Sequence, residues 1–349
     1  MAEKMDIVVI PELNKAEVRT VDKPEVQPGK VLVRILGCAL CTFEQRMFTG
    51  VANVPKPFIG GHEVTGVIAA VGEGVDEKQF PVGKHVAART FYSCGHCYAC
   101  RHDEGNLCEN GNEADRSWMA YPGIGGLQQY MLLDRNQIYM INDDLPLEKA
   151  CFAEPLACVL NSIERGHLEI GEDVVVIGGG IMGQLHVMCA KLSGCRVIMS
   201  EPDGPRRELA KKLGADICID PTQVDAVEEV KRLTDGEGAA AVFNTTAVSA
   251  VAQQAIGMVA KLGTARHVLL AAPRQADRGL PRLAPQLRGQ HQPARSRRSI
   301  RSFRRSVNAL SKGIIDPELL VSGVFDYHDC QKAFETAIRP DTFRCIIKF

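Results

Sequence analysis

The stretch VVVIGGGIMGQL constrains the fold more than any other part of the chain, because an apolar β run leads directly into three spaced glycines. Such spacing is a weak signal alone, but here it follows a predicted strand and opens a predicted helix. Gly178 allows the tight turn, Gly180 lets a pyrophosphate approach the backbone, and Gly183 lets helix and strand pack closely. The pattern predicts a bound dinucleotide whose diphosphate lies at the positive N-terminus of the helix. Ile181 and Met182 are the first residues of that helix and are candidate cofactor contacts.

An acidic residue follows at the distance that a dinucleotide site requires. Glu201 ends the next predicted strand, CRVIMSE, where a carboxylate would hold the ribose hydroxyls. A carboxylate there repels a 2′-phosphate, so NAD is favoured over NADP. Arg206 and Arg207 weaken that preference, although solvated charges on a helix are the simpler interpretation of both. Arg206 is kept as a candidate cofactor contact.

The chain divides into two patterns. From about Glu172, β runs (DVVVIG, CRVIMSE, DICID, AAAVFNTTA) alternate with helical segments (IMGQLHVMCAKLSG, PRRELAKKLG, VDAVEEVKRLTDG, VAQQAIGMVAKLG), which predicts parallel strands covered by helices on both faces. The first 150 residues carry short β signals (VLVRIL, HEVTGVIAAVG, GKHVAART) and predict a mostly β domain with long loops. Near the end, HDCQKAFETAIRP reads as a helix and FRCIIKF as an apolar strand.

Four cysteines within one loop, CGHCYACRHDEGNLC, form the second strong signal. Four thiolates so close in sequence can surround one zinc ion as a closed, structural shell. Free cysteines or a disulfide pair are the alternative, and a DNA-reading zinc finger lacks its second knuckle and its recognition helix here. The predicted ligands are Cys94, Cys97, Cys100 and Cys108.

A second metal site is predicted around GGHEVTGVIAAVGEGV. His62 and Glu63 are adjacent and flanked by glycines, which let the backbone crowd close to a metal. A hydrogen-bonded core histidine is the usual alternative for a lone His62. Cys38 or Cys41 upstream and Glu154 downstream, in CFAEPLAC, are candidates for the remaining ligands. One thiolate, one imidazole and one or two carboxylates with a bound water would form an open, catalytic site.

Charge and composition limit the classes of function. A net charge of −1 argues against a protein that binds polyanions over its whole surface. No segment reaches the roughly 18 apolar residues that span a bilayer, so no membrane partner is expected. The start of the sequence has no signal-peptide pattern. Because disulfides form mainly in secreted proteins, we expect the thirteen cysteines to be reduced and the protein to be cytoplasmic.

Together, Gly61-His62-Glu63 with Gly66 and Gly72, the four-cysteine lobe, Glu154-Pro155 and the glycine fingerprint resemble the zinc-dependent medium-chain dehydrogenases, in their polyol (sorbitol-like) and threonine dehydrogenase branch. The resemblance implies an α/β protein with a chaperonin-10-like β-rich catalytic domain (1–149 and 308–349) and a Rossmann doubly wound parallel sheet (150–307). It also implies a small-molecule alcohol substrate and a homodimer or homotetramer.

The resemblance assigns roles to single residues. Cys41 is similar to the family's thiolate ligand, with Cys38 as its neighbour. Glu63 resembles a direct ligand, and Glu154 resembles the carboxylate that binds zinc or its water. Phe43 is a departure, because the family usually has a serine or threonine there to pass a proton outward. We therefore expect the proton to leave through water near Glu154 or Glu44.

The stretch from Arg266 to Arg305 breaks the pattern. It holds 11 of the chain's 25 arginines, none of its 16 lysines and one acidic residue, Asp277, where the fold requires further strands. HVLLAA (267–272) could form one short strand, and a family-like pattern resumes at about Ser302. A nucleic-acid arm and a natural insertion are two explanations. We favour a third: a compensated reading-frame shift near codons 265 and 301, which makes 266–301 anomalous and puts this chain's own activity in doubt.

Three functions follow from these patterns. The leading hypothesis is a zinc-dependent enzyme, with one catalytic and one structural zinc, that transfers a hydride between NAD and a secondary alcohol, with a polyol as the expected substrate. Threonine and simple alcohols are sibling substrates. A zinc- and nucleic-acid-binding protein is the alternative from another class, although no nucleic-acid partner is expected. A zinc-free quinone reductase is disfavoured by Cys41, His62 and Glu63.

Overall fold

The computed structural model describes residues 3–267 and 300–349. The chain falls into two compact units, one of Met1–Ala157 with Arg298–Phe349 and one of Cys158–Arg297. The domain limits predicted above stay a prediction. Of the anomalous stretch 266–301, residues 268–299 lie outside the described part of the chain, so the frame-shift hypothesis stays a prediction as well.

The first unit is built on β-sheet, as its short β signals predicted. A seven-stranded sheet has the order β13-β14-β3-β4-β5-β7, with β6 paired to β3, and β1 and β2 form a separate antiparallel pair. All pairs in the large sheet are antiparallel except β13 with β14. The strands are β1 (Lys4–Glu12), β2 (Lys15–Asp22), β3 (Lys30–Ala39), β4 (Glu63–Val71), β5 (His85–Arg89), β6 (Tyr130–Asp134), β7 (Ile138–Met140), β13 (Val321–Asp326) and β14 (Arg344–Lys348).

Helices of this part of the chain are mostly short. They are α1 (Thr42–Thr49), α2 (Tyr98–Arg101), α3 (Leu147–Ala150), α4 (Ala153–Glu164), α9 (Ile300–Ser311) and α10 (Cys330–Ala337), and the boundary between the units falls within α4. The helix predicted in HDCQKAFETAIRP is α10, and the terminal strand predicted in FRCIIKF is β14. Buried Phe48 stacks on Phe334 in the main core, with ring centroids 4.9 Å apart.

The second unit confirms the predicted doubly wound sheet. Its strands are all parallel and follow the order β10-β9-β8-β11-β12, which is the order of a Rossmann fold. The core of this unit includes the buried side chains of Val175, Ile198 and Val242, which come from three neighbouring strands. The elements are β8 (Asp173–Ile177), α5 (Ile181–Leu192), β9 (Arg196–Ser200), α6 (Gly204–Lys212), β10 (Ile217–Ile219), α7 (Ala226–Leu233), β11 (Ala239–Asn244), α8 (Ser249–Gly257) and β12 (Val259–His267).

One element was predicted wrongly. The helical pattern VAQQAIGMVAKLG was extended to residue 263, but α8 ends at Gly257 and the rest belongs to β12. Val259 pairs with Ala239, and Thr264 to His267 continue the ladder along β11, so pairing with a neighbouring strand overrides the local helical pattern. Of the strand predicted at 267–272, only His267 is described, and it ends β12.

Within the described residues, no helix combines the length and the apolar character needed to cross a membrane.

Candidate active site and dinucleotide site

Three predicted metal ligands come together in the first unit. Cys41 is the N-cap residue of α1, and Glu63 begins β4 immediately after His62. Because β3 and β4 are antiparallel neighbours, Ala39 at the end of β3 pairs with Glu63. One ligand atom from each of the three lies within 4.8 Å of the others, and all three residues are buried. A thiolate, an imidazole and a carboxylate at this separation suit a zinc ion with an open position.

The turn before His62 requires glycine. Gly61 has a φ of 92°, in the left-handed region that side chains disfavour. A Cβ at this position would lie 2.6 Å from the backbone nitrogen of Leu127 and 2.8 Å from Sγ of Cys38. The flanking glycine seen in the sequence therefore allows the backbone to pass between these neighbours and present His62.

The carboxylate of Glu44 fixes the orientation of two ligands. Its Oε1 accepts hydrogen bonds from the backbone N–H of Gly61 at 3.0 Å and from Nδ1 of His62 at 2.9 Å. Its Oε2 accepts the backbone N–H of Cys41 at 3.1 Å. A carboxylate that accepts from Nδ1 leaves the lone pair on Nε2 for a metal, and such supporting partners commonly orient ligating histidines.

Negative charge accumulates at this cluster. Burial opposes protonation of His62, but the charges of Glu44 and Cys41 outweigh it and raise the pKa of the imidazole well above its usual value. Burial raises the pKa of Glu63 to about 7, with the charge of Glu154 adding to it and that of Arg344 opposing it. The buried group of anions therefore favours a cation at its centre, either a proton or a metal ion.

Arg344, which the sequence analysis did not single out, binds the predicted ligand Glu63. Its Nε donates to Oε2 of Glu63 at 2.8 Å, and its Nη2 donates to Oε1. Both side chains are buried, with 4% and 0% of their surfaces exposed. A charged residue at the start of the apolar strand FRCIIKF was the available signal, because a buried charge requires a partner.

The remaining predicted groups lie near this cluster without joining it. Glu154 is buried in the first turn of α4, and its charge acts on Glu63, but it is not one of the three grouped ligands. The Cys38 thiol points to the backbone oxygen of Ala39, so the structure groups Cys41 and not Cys38 with His62. Phe43 packs edge-on against the His62 ring, with centroids 5.9 Å apart.

The four-cysteine loop also forms a compact group. Sγ of Cys94 lies 3.9 Å from Sγ of Cys100, and Sγ of Cys97 lies 4.0 Å from Sγ of Cys108. Sulfurs at tetrahedral corners around zinc, each about 2.3 Å from the ion, are about 3.8 Å apart. All thirteen cysteines lie in the described residues, and none of them forms a disulfide there. Zinc ligation by these four residues stays a prediction that this spacing fits.

The dinucleotide fingerprint forms the expected strand–turn–helix in the second unit. Gly178 has a φ of 97°, and a Cβ on Gly183 would lie 1.7 Å from the Gly178 carbonyl oxygen. Gly180 is the N-cap of α5, and a Cβ there would meet nothing within 4 Å, which leaves open space beside the helix N-terminus. The side chains of Ile181 and Met182 are buried, so these residues can offer a phosphate only their backbone N–H groups.

Glu201 lies beside this turn, as predicted. Its carboxylate accepts hydrogen bonds from the backbone N–H groups of Gly179 and Asp203. Arg206 lies in the first turns of α6 against the same glycine turn, and its Cβ is 3.1 Å from the position of a Cβ on Gly179. The sequence predicts that Arg207 is a solvated charge on the helix. Its Nη2 instead forms an ion pair with Oδ2 of Asp220 at 3.0 Å.

Fold and donor groups together define a class: a β-rich unit with a buried cluster of zinc-type ligands, joined in one chain to a Rossmann unit with a complete glycine fingerprint. Two family models match these parts, the alcohol dehydrogenase GroES-like domain over residues 27–143 and the zinc-binding dehydrogenase over residues 182–308.

Similar proteins agree with this class. Sorbitol dehydrogenase of Bacillus subtilis is 29% identical over 97% of this chain and 94% of its own length. L-threonine 3-dehydrogenase of Pyrococcus abyssi is 34% identical over 68% of each chain. The structure of an alcohol dehydrogenase from Thermus sp. ATN1 matches the fold with a TM-score of 0.86 at 24% identity, covering 99% of both chains. The chain belongs to the zinc-dependent medium-chain dehydrogenases, as its motifs predicted, and these matches give the nucleic-acid alternative no support.

Proposed function

We propose that this chain catalyses hydride transfer between NAD and a secondary alcohol, with a polyol as the substrate. The grouping of Cys41, His62 and Glu63 carries the proposal, since a thiolate, an imidazole and a carboxylate this close together could hold a zinc ion with an open position. When bound, zinc lowers the pKa of an alcohol or water toward about 7, and the nicotinamide ring carries the hydride. The sorbitol dehydrogenase relative supports a polyol substrate.

The chain's own residues prepare the site for this chemistry. Glu44 holds His62 and the Cys41 backbone in place, and Arg344 holds both oxygens of Glu63. We assign Glu154 as the carboxylate that receives the substrate proton through water. Glu44 is unsuited to that task, because three donors occupy its oxygens. Burial raises its pKa, but the charge of His62 and the hydrogen bonds from His62 and Gly61 outweigh burial and lower it.

NAD is preferred over NADP in this proposal. We expect the Glu201 carboxylate, which lies beside the glycine turn, to accept from ribose hydroxyls, and its charge to oppose a 2′-phosphate. Arg207, a candidate phosphate partner, is held instead by Asp220 and by the backbone oxygen of Glu201. The family also favours a homodimer or homotetramer, which light scattering would measure. Thirteen free thiols support a location in the cytoplasm.

L-Threonine is the second candidate substrate, because the threonine dehydrogenase of Pyrococcus abyssi is similar over two thirds of the chain. NADH formation should be followed with sorbitol, other sugar alcohols, butanediol and L-threonine, each with and without a chelator. A polyol is expected to give the highest kcat/KM, and the chelator is expected to abolish the rate. Highest activity on L-threonine would transfer the assignment to the second candidate.

The ligand assignment has a matched pair of variants. Cys41→Ser should lose the catalytic zinc and more than about 100-fold in kcat/KM, since even supporting residues of metal sites contribute about 10- to 100-fold. Cys38→Ser, three residues away and outside the grouped ligands, should keep both. Equal zinc contents and rates in the two variants would contradict the site.

A further inference from the structure

Hydrogen bonds hold the peptide groups of Gly179 on both sides. Its N–H donates to Oε2 of Glu201, and its carbonyl oxygen accepts from Nε2 of Gln184 at 3.0 Å. The same Nε2 also donates to the backbone oxygen of Arg206 at 3.0 Å. One amide group on α5 therefore connects the glycine turn to the first turns of α6.

Gln184 is fully buried, with 0% of its surface exposed. Its Oε1 has no hydrogen-bond partner among the described residues. An unpaired buried acceptor costs about 1–3 kcal/mol, and this cost is set against the two hydrogen bonds that Nε2 donates. The costly amide is placed where its N–H groups reach two backbone oxygens that border the cofactor turn.

The residues around the Gln184 amide border the predicted binding site for the adenosine end of the cofactor. Glu201 is the residue expected to accept hydrogen bonds from the adenosine ribose. Its carboxylate accepts hydrogen bonds from the N–H of Gly179 and from the N–H of Asp203, the latter at 2.9 Å. The Gly179 N–H belongs to the peptide before its Cα and the Gly179 carbonyl oxygen to the peptide after it, so Glu201 and Gln184 hold the two neighbouring peptides. A change of φ or ψ at Gly179 would break one of these hydrogen bonds and shift the turn under the pyrophosphate, and Gln184 opposes that change from the carbonyl side.

We propose that Gln184 is a positioning residue for the adenosine side of the dinucleotide site. It touches neither the substrate nor the reacting carbon, and it acts by keeping the glycine turn, Glu201 and the start of α6 in the arrangement that binds the cofactor. This inference rests on the proposed function, because it assumes that the fingerprint binds NAD.

The test replaces the amide by an unbranched side chain of similar length, Gln184→Met, in the full chain. Binding of NAD+ and of ADP-ribose is measured by calorimetry, and kcat is measured at saturating NAD+. Both dissociation constants should rise about tenfold, equivalent to about 1.4 kcal/mol, while kcat stays within about twofold. A rise confined to NAD+ with ADP-ribose unaffected would overturn the proposal, as would unchanged binding of both.

Two further variants keep the outcome clear. Gln253→Met changes an exposed glutamine on α8 and should leave both dissociation constants unchanged. If Gln184→Met does not fold, Gln184→Leu replaces it as the test variant. Wild-type protein that binds neither NAD+ nor ADP-ribose would overturn the proposed function itself, whereas equal binding by wild type and Gln184→Met would overturn only the role of Gln184.

Discussion

Buried polar side chains in this protein differ in how completely their hydrogen-bonding groups are used. Glu44 engages both carboxylate oxygens with three donors, and Glu63 engages both with Arg344. His186 on α5 is the contrasting case: Nδ1 donates to the Met182 carbonyl at 2.7 Å, but Nε2 has no partner among the described residues. The two carboxylates lie at the proposed metal site, while His186 leads us to predict that acid destabilises the second unit.

His186 should lower stability below neutral pH. Burial lowers its pKa from 6.5 to about 4. Above pH 6.5 the ring is neutral in both states and adds no pH dependence to stability. As pH falls from 6.5 to 4, only the unfolded chain takes up a proton, so stability is lost. The loss from this group should reach about 2 kcal/mol at pH 5.

Urea unfolding at pH 7 and pH 5 measures this loss. His186→Leu should lose about 2 kcal/mol less than wild type between the two pH values. His167→Asn is the matched control, since His167 is exposed and its φ of 51° suits asparagine. The same acid-induced loss in His186→Leu and in wild type would show that His186 does not cause it.

At the scale of elements, most of the predicted metal ligands lie on short helices and loops, whereas the longer strands and helices form the hydrophobic cores. The cysteine loop contains only one four-residue helix, α2, and a three-residue 3-10 helix at Gly105–Leu107. Backbone N–H groups, chiefly those of Cys100 and Glu109, lower the pKa of Cys97 to about 6, and the N–H of Cys94 points to the Cys108 sulfur at 3.3 Å. We therefore expect so small an element to depend on a bound ion for its conformation.

Cys100→Ser should therefore remove one zinc per chain without affecting the catalytic site. Metal analysis should show one ion fewer than wild type, and the melting temperature should fall, because the loop loses its central cross-link. A Cys41→Ser, Cys100→Ser double variant should hold no zinc. Cys218→Ser, half-buried and outside both sulfur sites, should match wild type. Full zinc content in Cys100→Ser would exclude the four-sulfur shell.

At the scale of the whole molecule, the second unit is inserted between the two parts of the first unit in sequence. The first unit closes with chain from the C-terminal region, which supplies β13, β14 and α10. β14 pairs with β3 and places Arg344 beside Glu63, so the last strand is part of the catalytic unit. The zinc-binding dehydrogenase model runs through residues 182–308 and so spans the arginine-rich interval.

The frame-shift hypothesis predicts a specific nucleotide sequence. Translated in the neighbouring frame between codons 265 and 301, the gene should encode apolar β-patterned runs with lysine and acidic residues. Mass spectrometry of tryptic peptides from the native source should then show that alternative segment. Peptides that match the printed sequence at 266–301, with no β-patterned neighbouring frame, would refute the hypothesis.

Local patterns were sufficient for much of this protein. The strand–glycine–helix order predicted the Rossmann sheet and the turn at Gly178, because each depends on neighbouring residues in the chain. The four cysteines lie within fifteen residues, and His62 and Glu63 are adjacent, so their grouping also needed little tertiary information. Local periodicity failed at Val259, where pairing with β11 decided between helix and strand.

Only the tertiary structure decided which distant groups meet. Arg344 lies 281 residues from Glu63, and it became the partner of Glu63 because β14 pairs with β3. Gln184 and Arg206 are 22 residues apart on separate helices, which the parallel sheet places side by side. Periodicity and motif spacing report contacts within one element or one turn, whereas a buried charge or amide is satisfied by whatever the completed sheet brings near it.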